Sequence, residues 1–270
     1  MSIHLFRHRA RLTAATGAGV ALAILLAGCS GSDPNAGSAA STKLVVAYRN
    51  EVTTIDPARA DYVQTDTVDQ ALYDTLVTYD ASGTLVSSLA TKFRYNSSVD
   101  AISVTLKSGV RFHDGSALTA TDVKASLDRY KALGVGIDGQ IPSYASTDVV
   151  NAHQVTIHLS KPDALFLGAL SRIYILNSAL VAKHEGTDQG QSWLLSHDAG
   201  SGPYTLGSVS SGTYTLPRFS DYWTFDSARP KTLTLRRIDD TSTTKQEIVA
   251  GNVDVGGSPR RTRSPWSRRG

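Results

Sequence analysis

The sequence contains one cysteine in 270 residues. A single thiol excludes a disulfide within the chain, so a folded body must be held together by a sizeable hydrophobic core. The seven histidines are scattered without the paired spacing that is typical of a metal site, and no Gly-x-Ser-x-Gly element is present. We therefore expect no metal, no cofactor and no catalytic residue, and the chain is interpreted as a protein that is not an enzyme.

Acidic residues are missing from both ends of the chain. The first 29 residues contain Arg7, Arg9 and Arg11, and the last twelve contain five further arginines. Without these eight, 19 of the 27 basic residues remain against 24 acidic ones, so the body is acidic although the whole chain carries a net charge of +3. An acidic body argues against nucleic acid as a partner.

The amino terminus has the pattern of an export signal. Positive charge in residues 1–11 is followed by an uncharged, largely apolar stretch over 12–28, which is typical of a signal peptide. The sequence Leu-Ala-Gly-Cys that ends at Cys29 resembles the lipobox of bacterial lipoproteins. This resemblance implies cleavage before Cys29, lipidation of its thiol and anchoring to the extracytoplasmic face of the cell membrane. The alternatives are an ordinary signal with a chance cysteine, or a retained membrane helix.

Residues 30–42 are rich in glycine, serine and alanine and lack an apolar period. Such composition predicts a flexible tether between the anchor and the folded body.

Apolar periodicity predicts a body that mixes strands and helices over residues 43–255. Thr119 and Asp122 predict a helix start, and Gly134 predicts its end. The other predicted helices cover residues 67–76 and 241–250. Strands are predicted at 43–48, 77–79, 101–106, 155–159 and 233–235 and from 253 onward, with a hairpin that joins 204–206 to 214–216. This mixture places the fold in the α/β or α+β class.

Seven sequence blocks occur in one order along the body. The longest is Leu-Lys-Ser-Gly-Val-Arg-Phe-His-Asp-Gly at residues 106–115, and Thr-Ala-Thr-Asp-Val follows at 119–123. Together the seven resemble the family 5 extracellular solute-binding proteins, which include oligopeptide, dipeptide and nickel binders. The other five are Ile-Asp-Pro at 55–57, Ser-Leu-Ala at 88–90, Gly-Ser-Gly-Pro-Tyr at 200–204, Asp-Tyr-Trp at 221–223 and Gly-Asn-Val-Asp at 251–254.

The resemblance implies an α/β fold that is similar to one lobe of a type II periplasmic binding protein. Residues 43–59 and 177–255 would form this first lobe, and residues 60–176 a small inserted α+β domain. The implied function is that of a substrate-binding lipoprotein of an ABC importer, which captures peptides or similar small solutes. The implied partners are the solute, an ABC permease in the membrane and the lipid anchor.

The resemblance also indicates candidate ligand-binding residues. Glu51, Val52, Thr53 and Thr54 would face the ligand cleft with their backbone groups, and Tyr144 would line the pocket. Each of them could equally be an ordinary loop residue. By contrast, the His-Asp-Gly turn at 113–115 is predicted to be architectural, because an aspartate can bond its own backbone and a glycine supplies positive φ. The Tyr-Trp pair at 222–223 is predicted to belong to the core rather than to a ligand platform.

The sequence departs from the family pattern at its carboxyl end. Family members continue into a second, far lobe, whereas residues 256–270 form an arginine-, proline- and serine-rich tail without an apolar period. We expect the far lobe to be missing through a frameshift or a premature stop, which would leave a truncated and impaired binder. The alternative for the tail is a basic arm that binds phosphate or anionic lipid.

Other functions stay open at this point. A half-length binder could complete its cleft by pairing with another chain. A surface lipoprotein could act through protein–protein contacts, and the least favoured alternative is a lipid-anchored hydrolase.

Overall fold

The computed structural model describes residues 42–59, 63–134 and 141–256. The predictions for the export signal, Cys29, the tether through residue 41 and the tail beyond Gly256 lie outside these ranges. Within them, no helix combines the length and the apolar character needed to cross a membrane.

Short strands outnumber helices in this part of the chain. The helices are α1 (Val63–Leu72), α2 (Ala120–Leu133), α3 (Phe166–Ala169), α4 (Ser178–Lys183) and α5 (Thr241–Val249), with 3₁₀ turns at Pro57–Arg59, Leu170–Arg172 and Trp193–Leu195. The strands are β1 (Lys43–Tyr48), β2 (Asp74–Thr75), β3 (Val77–Tyr79), β4 (Leu85–Ser87), β5 (Ala90–Tyr95), β6 (Ala101–Leu106), β7 (Tyr144–Asn151), β8 (Gln154–Leu159), β9 (Tyr174–Ile175), β10 (Ser208–Ser210), β11 (Thr213–Pro217), β12 (Thr232–Arg237) and β13 (Val255–Gly256).

The larger sheet has five strands in the order β10, β11, β12, β1, β13. β1 runs parallel to both β12 and β13, whereas β11 is antiparallel to β12 and β10. The first strand of the body is therefore paired with strands that follow it by about two hundred residues. This pairing places the segment after β1 beside the carboxyl ends of two parallel neighbours.

The second sheet has four antiparallel strands in the order β5, β6, β8, β7. Its inward face carries the alternating apolar residues of β6 and β8, including Ile102, Val104 and Ile157, which are buried. Helix α2 packs against β7. Its start is a capping box in which the Thr119 backbone N–H donates to Oδ2 of Asp122 at 2.8 Å.

One continuous core joins the regions of both sheets. It includes Tyr48 of β1, Leu72 of α1, Leu127 of α2, Ile157 of β8 and Leu235 of β12. A smaller cluster forms on the other side of β1. The division into a discontinuous first lobe and an inserted domain stays a prediction, although the four-stranded sheet takes all its strands from residues 90–159.

Most of the predicted elements are confirmed, including the helix that ends before Gly134 and the strands at 43–48 and 101–106. The predicted helix over 67–76 is wrong at both ends, because α1 begins at Val63 and stops at Leu72. Leu76 continues the four-residue apolar spacing of that helix, but it is buried beside short strands instead. The hairpin is confirmed with a shift: its first strand is β10, and Tyr204 forms an isolated bridge with Arg218.

Candidate functional site

The predicted site residues 51–54 form an irregular segment directly after β1. Val52 and Thr54 are buried, whereas Glu51 and Thr53 are exposed. This alternation is expected of an extended backbone, in which successive side chains point to opposite sides. The buried pair fixes the segment on the core and leaves its other side open.

Within the described residues, the N–H groups of 51–54 have no hydrogen-bond acceptor. Just before the segment, the Asn50 N–H donates to Oδ1 of Asp239 at 3.0 Å, and within it the Val52 carbonyl accepts the Tyr214 hydroxyl at 3.5 Å. Free backbone donors in an extended segment can bond to the carbonyl oxygens of an extended ligand.

A cavity of about 410 Å³ opens beside the segment. Thr53 and Thr54 form one wall, which we call the first wall. The second wall is the turn at residues 188–192 together with Leu195, and Arg59 also lines the cavity. The Arg59 guanidinium donates to the side-chain oxygen of Gln191 in the second wall. The cavity therefore has a mixed polar lining contributed by two segments that are distant in sequence.

The second wall is a tight turn built around Asp188. Its carboxylate accepts the backbone N–H groups of Gly190 at 3.1 Å and Ser192 at 2.8 Å, as well as the Ser192 hydroxyl. These hydrogen bonds, led by that of the hydroxyl, lower the pKa of Asp188. The carboxylate is thus ionised and committed to holding the turn.

A buried ion pair lies behind both walls. Arg129 of α2 donates through Nη1 to Oδ1 of Asp56 at 2.8 Å and through Nη2 to Oδ2 at 2.6 Å. The side chains are 8% and 0% exposed, respectively. Asp56 belongs to the Ile-Asp-Pro block of the family resemblance, but nothing in the sequence indicates its partner 73 residues away.

Tyr144, the fifth predicted site residue, lies elsewhere. It is at the start of β7, is 2% exposed, and its hydroxyl donates to Oδ1 of Asp128 at 2.6 Å. Burial, followed by the hydrogen bond to Asp128, raises the pKa of its phenol. Tyr144 does not line the cavity beside 51–54. Its part in ligand binding stays a prediction, and its burial argues against it.

Asp74, which no pattern in the sequence indicates, forms hydrogen bonds with residues of two of the sequence blocks. Its buried carboxyl accepts the Ser201 hydroxyl at 2.9 Å, the Tyr222 hydroxyl at 2.9 Å and the Trp223 indole N–H at 3.0 Å. Burial raises the pKa of Asp74 despite these three hydrogen bonds, which act in the opposite direction. The Tyr-Trp pair is therefore fixed to β2 by its polar atoms, in keeping with an architectural role.

The His-Asp-Gly turn has the predicted construction. Asp114 accepts the Ser116 backbone N–H at 2.9 Å, and Gly115 has a φ of 86°. His113 places Nδ1 2.5 Å from Oδ1 of Asp198 and Nε2 3.0 Å from the Gly202 carbonyl. The turn is thereby joined to the Gly-Ser-Gly-Pro-Tyr block.

The contact with His113 lowers the pKa of the Asp198 carboxyl and keeps it ionised. Burial alone would raise the pKa of its carboxyl, but the hydrogen bond and the charge of His113, together with two backbone N–H donors, outweigh burial and lower the pKa. In the described ranges, no three histidine, cysteine, aspartate or glutamate side chains converge as a metal site would require.

Comparison with solved structures gives the fold a clear set of neighbours. NikZ from Campylobacter jejuni, solved in complex with Ni(L-His), superposes with a TM-score of 0.72 at 25% identity and covers 79% of this chain. A dipeptide binding protein from Pseudoalteromonas sp. SM9913, in complex with Met-Leu, superposes with a TM-score of 0.73 at 20% identity and covers 80%. The predicted α/β fold of the type II periplasmic binding proteins is confirmed.

Comparison of sequences also finds relatives that are named as binding proteins. The "Probable D,D-dipeptide-binding periplasmic protein DdpA" of Escherichia coli (strain K12) is 27% identical over 219 residues. The glutathione-binding protein GsiB of Salmonella paratyphi A is 27% identical over 222 residues. These alignments cover 78% and 79% of this chain but 42% of each relative, so the chain spans less than half the length of the relatives it matches.

The sequence profile of the bacterial extracellular solute-binding proteins, family 5, matches residues 84–265. This match covers well over half of the chain and includes six of the seven sequence blocks in full. The chain therefore belongs to the family 5 bacterial extracellular solute-binding proteins.

Proposed function

We propose that this chain captures peptides or similar small solutes for an ABC importer at the extracytoplasmic face of the cell membrane. Family membership supports the proposal, as do the relatives that are named for binding D,D-dipeptides and glutathione. The observation that carries it is the segment 51–54, whose backbone N–H groups have no acceptor within the described residues and of which Thr53 and Thr54 line a cavity. An extended peptide offers carbonyl oxygens at the spacing that such a segment can use.

In this proposal the ligand is held through its main chain and leaves unchanged. Recognition through backbone donors fixes the direction of a peptide without selecting its side chains. The mixed lining of the cavity suits that role, because Thr53, Gln191 and Ser192 can bond to polar groups of different solutes. The solute would then pass to an ABC permease in the membrane.

We expect Thr53→Pro to weaken peptide binding about fivefold, because proline removes one backbone N–H and a hydrogen bond contributes about 1 kcal/mol. Thr53→Ala is the matched control, since it removes the exposed side chain and keeps the N–H. Binding of Met-Leu and of glutathione to the full-length chain would be measured by isothermal titration calorimetry.

The two variants separate main-chain from side-chain recognition. If the wild type binds and the proline and alanine variants bind with equal affinity, the backbone N–H of residue 53 does not bond to the ligand. If the wild-type chain binds neither probe, the peptide-binding proposal itself is wrong for this chain.

We propose further that Cys29 carries the lipid anchor. The proposal is supported by the positive residues 1–11, the apolar stretch 12–28 and the Leu-Ala-Gly-Cys sequence that follows. In a bacterial host, Cys29→Ser is expected to abolish labelling by radioactive palmitate and to move the protein from the detergent to the aqueous phase on phase separation. Ser30→Ala is the control and should keep the label. Labelling that persists in Cys29→Ser would contradict the proposal.

A further inference from the structure

Arg129 forms hydrogen bonds on both sides of the cavity beside 51–54: with Asp56, which follows the first wall in sequence, and with the turn of the second wall. Two of its guanidinium nitrogens hold the Asp56 carboxylate, at 2.8 Å and 2.6 Å. Its Nε donates to the backbone carbonyl of Gln189 at 2.9 Å, in the turn that forms the second wall. One buried side chain therefore spans the distance between two segments that are more than a hundred residues apart in sequence.

On the side of the first wall, the contact continues through Asp56 into the candidate site. The Asp56 N–H donates to Oγ1 of Thr54 at 3.0 Å, and Oδ1 of Asp56 accepts the Ala58 N–H at 3.1 Å. Thr54 lines the cavity and is itself buried. A shift of the Asp56 carboxylate would thus be passed to the backbone of residues 54–58.

On the side of the second wall, Arg129 holds a strained residue. Gln189 has a φ of 57°, in the left-handed region that a residue with a Cβ seldom adopts. Such a conformation persists where surrounding contacts over-determine it, and it often marks a functional segment. The Arg129 bond to the Gln189 carbonyl and the Asp188 bonds to the following N–H groups are contacts of this kind.

The guanidinium group of Arg129 can form all three of these hydrogen bonds at once. A guanidinium is planar and presents its donors in a rigid fork, so it can bind a carboxylate with two nitrogens and direct a third donor elsewhere. A lysine at the same position would keep the charge, but its single nitrogen cannot reproduce three bonds in fixed directions.

We infer that Arg129 is a positioning residue for ligand binding, which sets the spacing between the first wall and the second wall from helix α2. The inference rests on the proposed function, since the walls matter for affinity only if the cavity beside 51–54 takes the ligand. It also gives the region of residues 60–176 a role in binding, because α2 belongs to that region and contributes Arg129 without lining this cavity itself.

The test variant is Arg129→Lys in the full-length chain, which keeps a cation for Asp56. Two quantities are measured: the Kd for Met-Leu and for glutathione, and amide hydrogen exchange. We expect the Kd to rise at least about tenfold, which corresponds to roughly one to two lost hydrogen bonds. Exchange should become faster in residues 54–58 and in 188–192 and stay unchanged in the four-stranded sheet.

Two controls separate positioning from a general loss of stability. Arg236→Lys changes an arginine that pairs with Glu247 at 3.0 Å and does not line the cavity, so it should alter neither quantity. Ile157→Val removes a methyl group from the core of the four-stranded sheet, so it should lower the melting temperature and leave the Kd unchanged.

The outcomes can be told apart. If the wild type binds and Arg129→Lys binds equally well, or if exchange at the two walls matches that of Ile157→Val, the inference is overturned. If the wild type binds neither probe, the proposed function fails and so does the role of Arg129 in ligand binding. Exchange then tests the structural part alone: faster exchange confined to the two walls shows that Arg129 sets their spacing, and unchanged exchange overturns that as well.

Discussion

Gly200→Ala is expected to lower the free energy of unfolding by at least about 3 kcal/mol, at the upper end of the usual cost of overpacking. A Cβ at this position would lie 1.8 Å from the backbone oxygen of Leu72 and 2.8 Å from its carbonyl carbon. A flexible side chain could move aside, but these are main-chain atoms at the end of α1. The helix end would have to shift, and Tyr73 beside it is buried in the core.

The end of α1 cannot shift without losing hydrogen bonds, because the Gly-Ser-Gly-Pro-Tyr block donates N–H groups to its last carbonyl groups. The last carbonyl groups of a helix lack partners within the helix. Here the Gly202 N–H donates to the Leu72 carbonyl at 2.9 Å, and the Tyr204 N–H donates to the Ala71 carbonyl at 3.0 Å. The Gly-Ser-Gly-Pro-Tyr block thus caps α1, and its glycines permit the close approach that capping requires.

Gly168→Ala is the matched control for this experiment. Its new Cβ would meet the Tyr79 hydroxyl at 2.6 Å, but Tyr79 is 52% exposed and can swing into solvent. Alanine is also favoured over glycine inside a helix. Urea unfolding should give a stability at or slightly above that of the wild type. A loss for Gly200→Ala no larger than that for Gly168→Ala would show that the helix end yields easily.

The sequence predicted local structure where a local signal decides it. The helix after Thr119 starts at a capping box, and the strand at 101–106 follows strict alternation, so neither depends on distant residues. The end of α1 was misjudged because the apolar spacing runs on to Leu76, whereas the true end is set by N–H donors from residues 202–204. A stop signal that lies 130 residues away cannot be read from the helix itself.

The candidate site shows the same limit. The family resemblance indicates residues 51–54 as candidates, and Thr53 and Thr54 of this segment line a cavity, but the sequence does not predict the wall opposite them. Asp74 and Arg129 have no local pattern that distinguishes them from surface charges, and their partners become apparent only in the folded chain. The sequence therefore does not reveal buried polar contacts between residues that are far apart along the chain.

Asp69→Asn is expected to stabilise the protein at neutral pH, by an amount that grows as the pH rises. Asp69 lies in α1 with 0% exposure, and within the described residues neither of its carboxyl oxygens has a hydrogen-bond partner. Burial, followed by the negative charges of Asp66 and Asp56, raises its pKa well above the ordinary value of 3.8. The carboxyl therefore keeps its proton to a higher pH in the folded protein than in the unfolded chain.

The sign of the effect follows from proton binding. Between pH 3.8 and its raised pKa in the folded state, Asp69 keeps a proton that the unfolded chain releases. Folding then takes up one proton, so wild-type stability falls by about 1.4 kcal/mol for each pH unit in this window. Asparagine has nearly the same shape and no proton to lose, so the variant lacks this contribution.

The decisive quantity is the difference in unfolding free energy between Asp69→Asn and the wild type, measured by urea at several pH values from 4 to 8. Near pH 4 the two should be about equally stable, and the advantage of the variant should then grow with pH, because all other titrating groups are shared. Asp221→Asn, at an exposed position, should show a small and constant difference. A flat difference for Asp69→Asn as well would mean that Asp69 is ionised in the folded protein, and a buried partner for it would then have to exist.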